Sequence, residues 1–435
     1  MKSLGRRRYA VVGTGSRAER HIRAIAVDHG EHCELVAFAD TNAVRMRVHN
    51  ERLTALGHPA VPMYPADEFL AMIQRERVDV VVVATVDRFH ASYIVQALEA
   101  GCDVVTEKPM TTNVAGARNV LEAVERTGRK VTVAFNYRYS PIHEKVREVL
   151  ADGAIGEVGS AHFEWLLDVR HGADYFRRWH RDKTNSGGLM VHKATHHFDL
   201  VNWWLGTTPE TVFAQGRLFF YGKENGSRRG HARDYERVHG SVAAKDDPFA
   251  LHIEQDEWQR RLYLEAESED GYWRDQNPFA PGVSIEDDMA VLVRYASGAS
   301  LTYHLTAYSP WEGYRFMVNG SAGRLELEVV ENSWVSGQRP AVHGVEANPE
   351  EHWARLTVRP LFERPVEIEL KLAEGGHGGA DERMTAAIYG EPTEPDPLGR
   401  RATHRDGAMS LLTGFAANES FETGRPVQVD DLIKL

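Results

Sequence analysis

The chain has 435 residues, with 51 lysines and arginines against 63 aspartates and glutamates, for a net charge of −12. A hydrophobic share of 42% excludes global disorder, because such a chain can bury enough surface to offset its ordering entropy. The acidic balance offers no basic face for phosphate neutralisation, so no nucleic-acid partner is expected, and Arg6-Arg7-Arg8 is too short a cluster to change that. Two cysteines, Cys33 and Cys102, are too few for a disulfide framework and fit a reducing compartment. The longest apolar run, Val78 to Val86 with Asp79 inside it, falls far short of the roughly 20 residues of a membrane span. No hydrophobic signal region follows the basic start. A soluble cytoplasmic protein with no membrane partner is expected.

Strand and helix signals alternate through the first 136 residues. Tyr9–Val12 reads as a short buried strand, and a helical pattern follows over 16–28. Glu34–Asp40 is the second strand, with helical patterns over 43–56 and 67–75. Val78–Thr85 is a nearly continuous β-branched run, as in strands buried on both faces of a parallel sheet. Helix over 90–100, strand over 102–107, helix over 113–126 and strand over 130–136 continue the rhythm. This predicts a doubly wound α/β sheet with right-handed crossovers.

The rhythm changes after Asn136. Pro141–Leu150 reads as a linking helix with proline in its first turn. Strands are predicted over 160–169, 211–221, 288–295, 299–307, 314–318, 324–330 and 355–359, several joined by short glycine turns of hairpin type. Residues 380–389 and 402–422 read as closing helices. The expected architecture is a Rossmann domain over 1–138 and an α+β domain over 139–435 with an open, mainly antiparallel sheet. Residues 222–282 are polar, aromatic and too long for an ordinary loop; they read as an insertion with some helix.

Gly13-Thr14-Gly15-Ser16-Arg17-Ala18 is a G-x-G-x-x-A turn between a strand and a helix. The first glycine permits the tight turn, the second lets backbone approach a pyrophosphate, and the small residue lets helix pack on sheet. Helix N–H groups then face the phosphate charge. Asp40 ends the second strand 25 residues after Gly15, where a carboxylate can accept from ribose hydroxyls. Capping of the next helix is its simpler alternative role. Asp40 favours NAD over NADP by repelling a 2′-phosphate; Arg17, Arg45 and Arg47 keep NADP as the alternative.

Glu107-Lys108-Pro109 closes the fifth strand, and strand C-termini line the ligand crevice of a doubly wound sheet. A lysine there can hydrogen-bond a substrate hydroxyl and ease its deprotonation. The glycine loop, Thr85-Val86-Asp87-Arg88-Phe89-His90 and Ala100–Pro109 together resemble the glucose–fructose oxidoreductase / inositol dehydrogenase / MocA (Gfo/Idh/MocA) family. Phe135-Asn136-Tyr137-Arg138 is similar to that family's Asn-x-Arg element, while Val86 stands where the family usually has proline. The resemblance implies that Thr85, His90, Glu107, Lys108 and Asn136 join the glycine loop and Asp40 in holding the cofactor.

Ser186–Gly206 carries His192, Lys193, His196, His197 and Asp199 on one predicted helix that Gly206 ends. His192 and His196 share a face at i,i+4, and Lys193 with His197 form a second pair about 100° round. One histidine alone would suit a satisfied core group; three with a lysine and an aspartate point to a site. The segment also resembles the family's glycine-preceded His-x-x-Asp helix. In many members an aspartate lies four residues before that histidine; His192 stands there in this chain. The set becomes Lys108, His192 and His196 with Lys193 added, and either His196 or Lys193 takes the hydroxyl proton. Trp179 is a stacking candidate for substrate, with His197 beside it. Gly375–Asp381 resembles a Gly-His-Gly-Gly-x-Asp element of NAD-dependent glycosidases, which makes His377 a candidate pocket residue.

No metal is expected, since proton handling explains the histidines better than coordination. The resemblance implies an NAD(P)-dependent oxidoreductase acting on a secondary hydroxyl of a sugar, sugar derivative or cyclitol, built as a homodimer or homotetramer. The alternative is a redox-neutral glycosidase or lyase that works through a transient keto-sugar. A non-catalytic sugar or nucleotide sensor is the third reading.

Overall fold

A computed structural model describes residues 6–336, 352–371, 379–391 and 395–435. The chain divides into two compact units. The first joins Met1–Tyr139 with Ile253–Trp273 and Gly375–Ala408; the second joins Ser140–His252 with Arg274–Glu374 and Met409–Leu435.

The first unit is a parallel sheet of β1 (Arg7–Val12), β2 (Cys33–Asp40), β3 (Met63–Pro65), β4 (Val80–Val83), β5 (Asp103–Thr106) and β6 (Val131–Val133). The order is β6-β5-β4-β1-β2-β3, and Ala402–Thr403 adds an antiparallel strand beside β6. All four valines of β4 are buried, the sign of a strand covered on both faces. Helices Ala43–Ala55 and Val114–Thr127 start at Asn42 and Asn113, whose side chains accept from the Arg45 and Gly116 backbone N–H groups. Those asparagines satisfy N–H groups that a helix start leaves without an intrahelical acceptor. Strand order reverses between β1 and β4, which puts the ligand crevice of this sheet type at the end of β1. The core gathers Tyr9, Val11, Ile22, Phe38 and Val82 with Tyr389 of the returning helix Ala380–Tyr389.

The second unit is an open sheet of β7 (Val158–Asp168), β8 (Pro209–Arg217), β9 (Asp288–Tyr295), β10 (Ser300–Ser309), β11 (Glu312–Gly320), β12 (Gly323–Asn332), β13 (Trp353–Pro360) and β14 (Val366–Ile368). Its order is β14-β13-β12-β11-β7-β10-β9-β8, with Val427–Gln428 beside β8. Among these pairs only β7–β10 is parallel. Burial alternates along β9, as expected for a sheet with one packed and one open face. Phe163, Trp165, Trp204, Tyr303, Tyr314 and Phe316 form an aromatic core on the packed face.

The 186–206 segment differs from one continuous helix. It forms helices Leu189–His192 and Ala194–Leu205, separated at Lys193, and ends at Gly206 with φ of 62°. Residues 222–282 do not form one body: 253–273 packs within the first unit and the flanking parts within the second.

Helix Val169–Arg177 lies against β10 through Gly172, where an added Cβ would sit 1.7 Å from the Ala307 carbonyl oxygen. Backbone cannot move aside as a flexible side chain can. Gly172→Ala should therefore cost about 1–3 kcal/mol or more, seen as a lower midpoint in urea unfolding.

Candidate active site

The glycine loop leaves β1 under tight constraint. Gly13 has φ of +85°, and a Cβ there would lie 2.6 Å from the Ala84 carbonyl carbon and the Thr85 nitrogen. Around Gly15, by contrast, the Tyr263 hydroxyl at 3.6 Å is the only atom of the described residues, its chain neighbours aside, that a Cβ would approach within 4 Å. This is the bare backbone face that a dinucleotide diphosphate requires, so the loop fits the cofactor. Asp40 anchors the loop from β2: its Oδ2 accepts from the Thr14 backbone N–H and, at 2.7 Å, from the Thr14 hydroxyl. Its Oδ1 accepts from Asn42 N at 2.9 Å. His49 supports the far side, its Nε2 lying 3.0 Å from the Thr14 carbonyl. Burial pushes His49 down to about 4; the neutral ring therefore donates from Nε2.

Glu107 follows β5 and is buried. Its Oε1 accepts from Arg17 Nε at 2.6 Å and lies 2.9 Å from His21 Nε2. Burial would raise its carboxyl, but the Arg17 guanidinium and His21 hold it well below the usual carboxylate range. Arg17 also donates to Asp381 Oδ1 at 3.1 Å, as does Asn136 Nδ2 at 2.9 Å. Arg17, read from sequence as one of the cations that keep NADP open, thus has its charge matched by two carboxylates. Among the described residues the Asn136 side-chain Oδ1 is buried with no hydrogen-bond partner, an acceptor suited to a bound cofactor. His90 clasps two loops, its ring nitrogens 2.7 Å from the Pro109 carbonyl and 3.1 Å from the Thr85 carbonyl. Lys108 is half-buried between Glu107 and Pro109.

In the second unit His192, Lys193, His196 and His197 are all buried. The His192 ring meets His180 at 4.1 Å, Tyr175 at 5.6 Å and Trp179 at 5.9 Å, and Trp179 stacks on His180 at 3.6 Å. Lys193 Nζ lies 5.1 Å from the centre of the Trp165 ring, on which His197 stacks at 4.1 Å. His197 Nδ1 lies 2.7 Å from the Tyr303 hydroxyl. The structure therefore places His197 in the aromatic core beneath Lys193. His377 lies outside the described residues.

A second group of charges surrounds Lys193 and was not legible from the sequence. Glu312 Oε1 lies 2.7 Å from His171 Nδ1, and its Oε2 accepts from Asp168 N at 3.2 Å. Asp168 Oδ1 caps the 169–177 helix through Arg170 N and His171 N. Burial would raise Glu312, but His171 and Lys193 hold it down. Glu331 is pushed up, first by burial and then by Glu312, with Lys193 opposing. His171 and Tyr175 share a helix face at i,i+4, which was the one local signal for this group; Glu312, on a strand, had none. Among the described residues no group of three or more His, Cys, Asp or Glu side chains is placed to hold a metal ion. No described helix is long and apolar enough to cross a membrane.

Residues 7–135 match the Gfo/Idh/MocA oxidoreductase family's NAD-binding Rossmann fold, and residues 147–429 match its C-terminal alpha/beta domain. The chain is 37% identical to the protein YteT of Bacillus subtilis (strain 168), over 97% of this chain and 98% of that protein. It is 29% identical to an inositol 2-dehydrogenase of Rubrobacter xylanophilus, over 47% of this chain and 54% of that protein. The crystal structure of aldose–aldose oxidoreductase from Caulobacter crescentus, complexed with glycerol, shares the fold with a TM-score of 0.62. Its identity is 18%, over 97% of this chain and 99% of that chain.

Glu107→Gln removes the carboxylate charge shared by Arg17 and His21 and leaves them a neutral amide oxygen, so it should cost about 3–5 kcal/mol. Because the folded-state carboxyl is depressed, its contribution is complete above the unfolded value near 4.5 and is lost as pH falls below it. The wild-type chain should lose stability on acidification through that range, and the variant should show a shallower acid limb in chemical unfolding.

Proposed function

The chain belongs to the Gfo/Idh/MocA family of oxidoreductases, and from that membership we propose that it oxidises a secondary hydroxyl of a sugar, sugar derivative or cyclitol. Its first domain is an NAD-binding Rossmann domain. We take NAD over NADP as the partner, because the Asp40 carboxylate ends β2 and the Arg17 charge is matched by Glu107 and Asp381. When bound, NAD supplies the hydride acceptor.

The observation that carries the substrate-side reading is the buried set His192, Lys193 and His196. A proton acceptor shielded from water can take a hydroxyl proton without competition from solvent. Lys193 holds the Glu312 carboxyl down by its charge, and we assign the proton to His196. His192 orients the substrate from within its group of Tyr175, Trp179 and His180. Lys108 hydrogen-bonds the reacting oxygen and favours the carbonyl that forms there. Trp179 offers its ring face to the sugar.

A panel of sugars, cyclitols and glycosides, followed for both NADH and glycoside cleavage, tests this reading. Net NADH formation with one class of polyol is expected. His196→Ala should lower kcat by about 10²–10⁴-fold while NAD affinity stays within a few-fold. Glycoside cleavage without net NADH would replace the reading with redox-neutral chemistry. Full activity of His196→Ala would remove His196 from its role.

A further inference from the structure

Residues 253–273 pack in the first unit against the helix that follows Asp40 and against the glycine loop. The Trp258 ring meets the His49 ring at 5.3 Å, and the Arg52 guanidinium lies 4.8 Å from the Trp258 ring centre. Asn42 Nδ2 donates to the Ala266 carbonyl at 2.9 Å. Arg45 Nε donates to the Leu262 carbonyl at 3.1 Å, and its Nη1 pairs with Asp270 at 2.7 Å. The strap ends on the glycine loop itself: the Ser16 backbone N–H donates to the Tyr263 hydroxyl at 3.0 Å. Both units of contact belong to one compact body.

We propose that this strap is a working wall of the dinucleotide site: Tyr263 is a ligand for the cofactor's diphosphate, and Asp270 sets the preference for NAD. Two independent observations meet here. The Tyr263 hydroxyl lies over the face of Gly15 that carries no side chain, where it can donate to a diphosphate oxygen while Ser16 N–H also turns to it. Among the described residues Arg45 Nη2 is buried with no hydrogen-bond partner, and Arg45 lies in the first turn of the helix that follows Asp40. Arg45 is a cation three residues after the Asn42 cap, and its charge is matched by Asp270. The corner formed by Asp40, Arg45 and Asp270 thus keeps a net charge of −1 by the count of two carboxylates and one guanidinium. That sign repels a 2′-phosphate.

The inference rests on the NAD-binding assignment and is independent of the substrate. Equilibrium binding of NAD and of NADP, with NAD release from loaded protein, tests it without turnover. Binding of NAD to the wild-type chain is the control; its failure would count against the cofactor assignment and not against the strap. Loss of one hydrogen bond to a charged group lowers affinity by roughly 10-fold or more. Tyr263→Phe should therefore bind NAD at least about 10-fold more weakly and release it faster, with the unfolding midpoint in the absence of nucleotide lowered only slightly by loss of the Ser16 hydrogen bond. Unchanged or tighter binding would overturn the ligand role, tighter binding meaning that the hydroxyl competes with the diphosphate. Asp270→Asn should raise the NADP-to-NAD affinity ratio several-fold, and an unchanged ratio would overturn the specificity role. If Asp270→Asn fails to fold, Arg45→Gln gives the second reading: it should weaken NAD and leave NADP no better bound, whereas unchanged NAD binding would contradict the wall.

Discussion

The backbone of Gly13 passes so close to Ala84 and Thr85 that no side chain fits between them. That approach is the constraint on which the first unit depends. It holds the end of β1 against the end of β4, where the order of the parallel strands reverses. The loop that follows must turn sharply, and its N–H groups then face the crevice. Asp40 fixes the loop from one side through Thr14 and His49 from the other. The strap residue Tyr263 meets the same loop at Ser16. Nucleotide recognition therefore follows from a steric condition at one glycine.

In both units a buried cation of the candidate site is set against carboxylates. Arg17 lies between Glu107 and Asp381, and Glu107 between Arg17 and His21. Lys193 stands among Glu312, Glu331 and His171 over the Trp165 ring. Such arrangements add little net stability, because desolvation offsets much of the attraction. Their effect is on position. A charge with fixed partners has one orientation, and a site that must hold a hydroxyl in near-attack contact needs that fixity.

The Rossmann half was legible because its signals are local. The β-branched strand, the glycine turn and the carboxylate at the end of β2 all lie within a short stretch of chain. The predicted strands of the second half were located for the same reason, through alternation and glycine turns. What was not legible came from contacts distant in sequence. Nothing local in 222–282 says that Tyr263 reaches Ser16, 247 residues away, or that Arg45 is matched by Asp270. Glu312 opens an interior strand whose sequence pattern does not single it out, and only the fold brings it to His171. The interruption at Lys193 also escaped a periodicity reading, since the chain resumes its helix within one residue. Even so, Lys193 and His197 still meet on Trp165, the face-sharing that their spacing implied.

Chemistry is decided by where the carbon-bound hydrogen goes. A polyol that the protein oxidises, deuterated at the reacting carbon, would be incubated with NAD and the purified chain, and the nicotinamide product examined by mass spectrometry. Deuterium recovered in the reduced nicotinamide, one per carbonyl formed, is the predicted result. Deuterium retained in the substrate or lost to water, with no labelled nicotinamide, would contradict hydride transfer as the reaction.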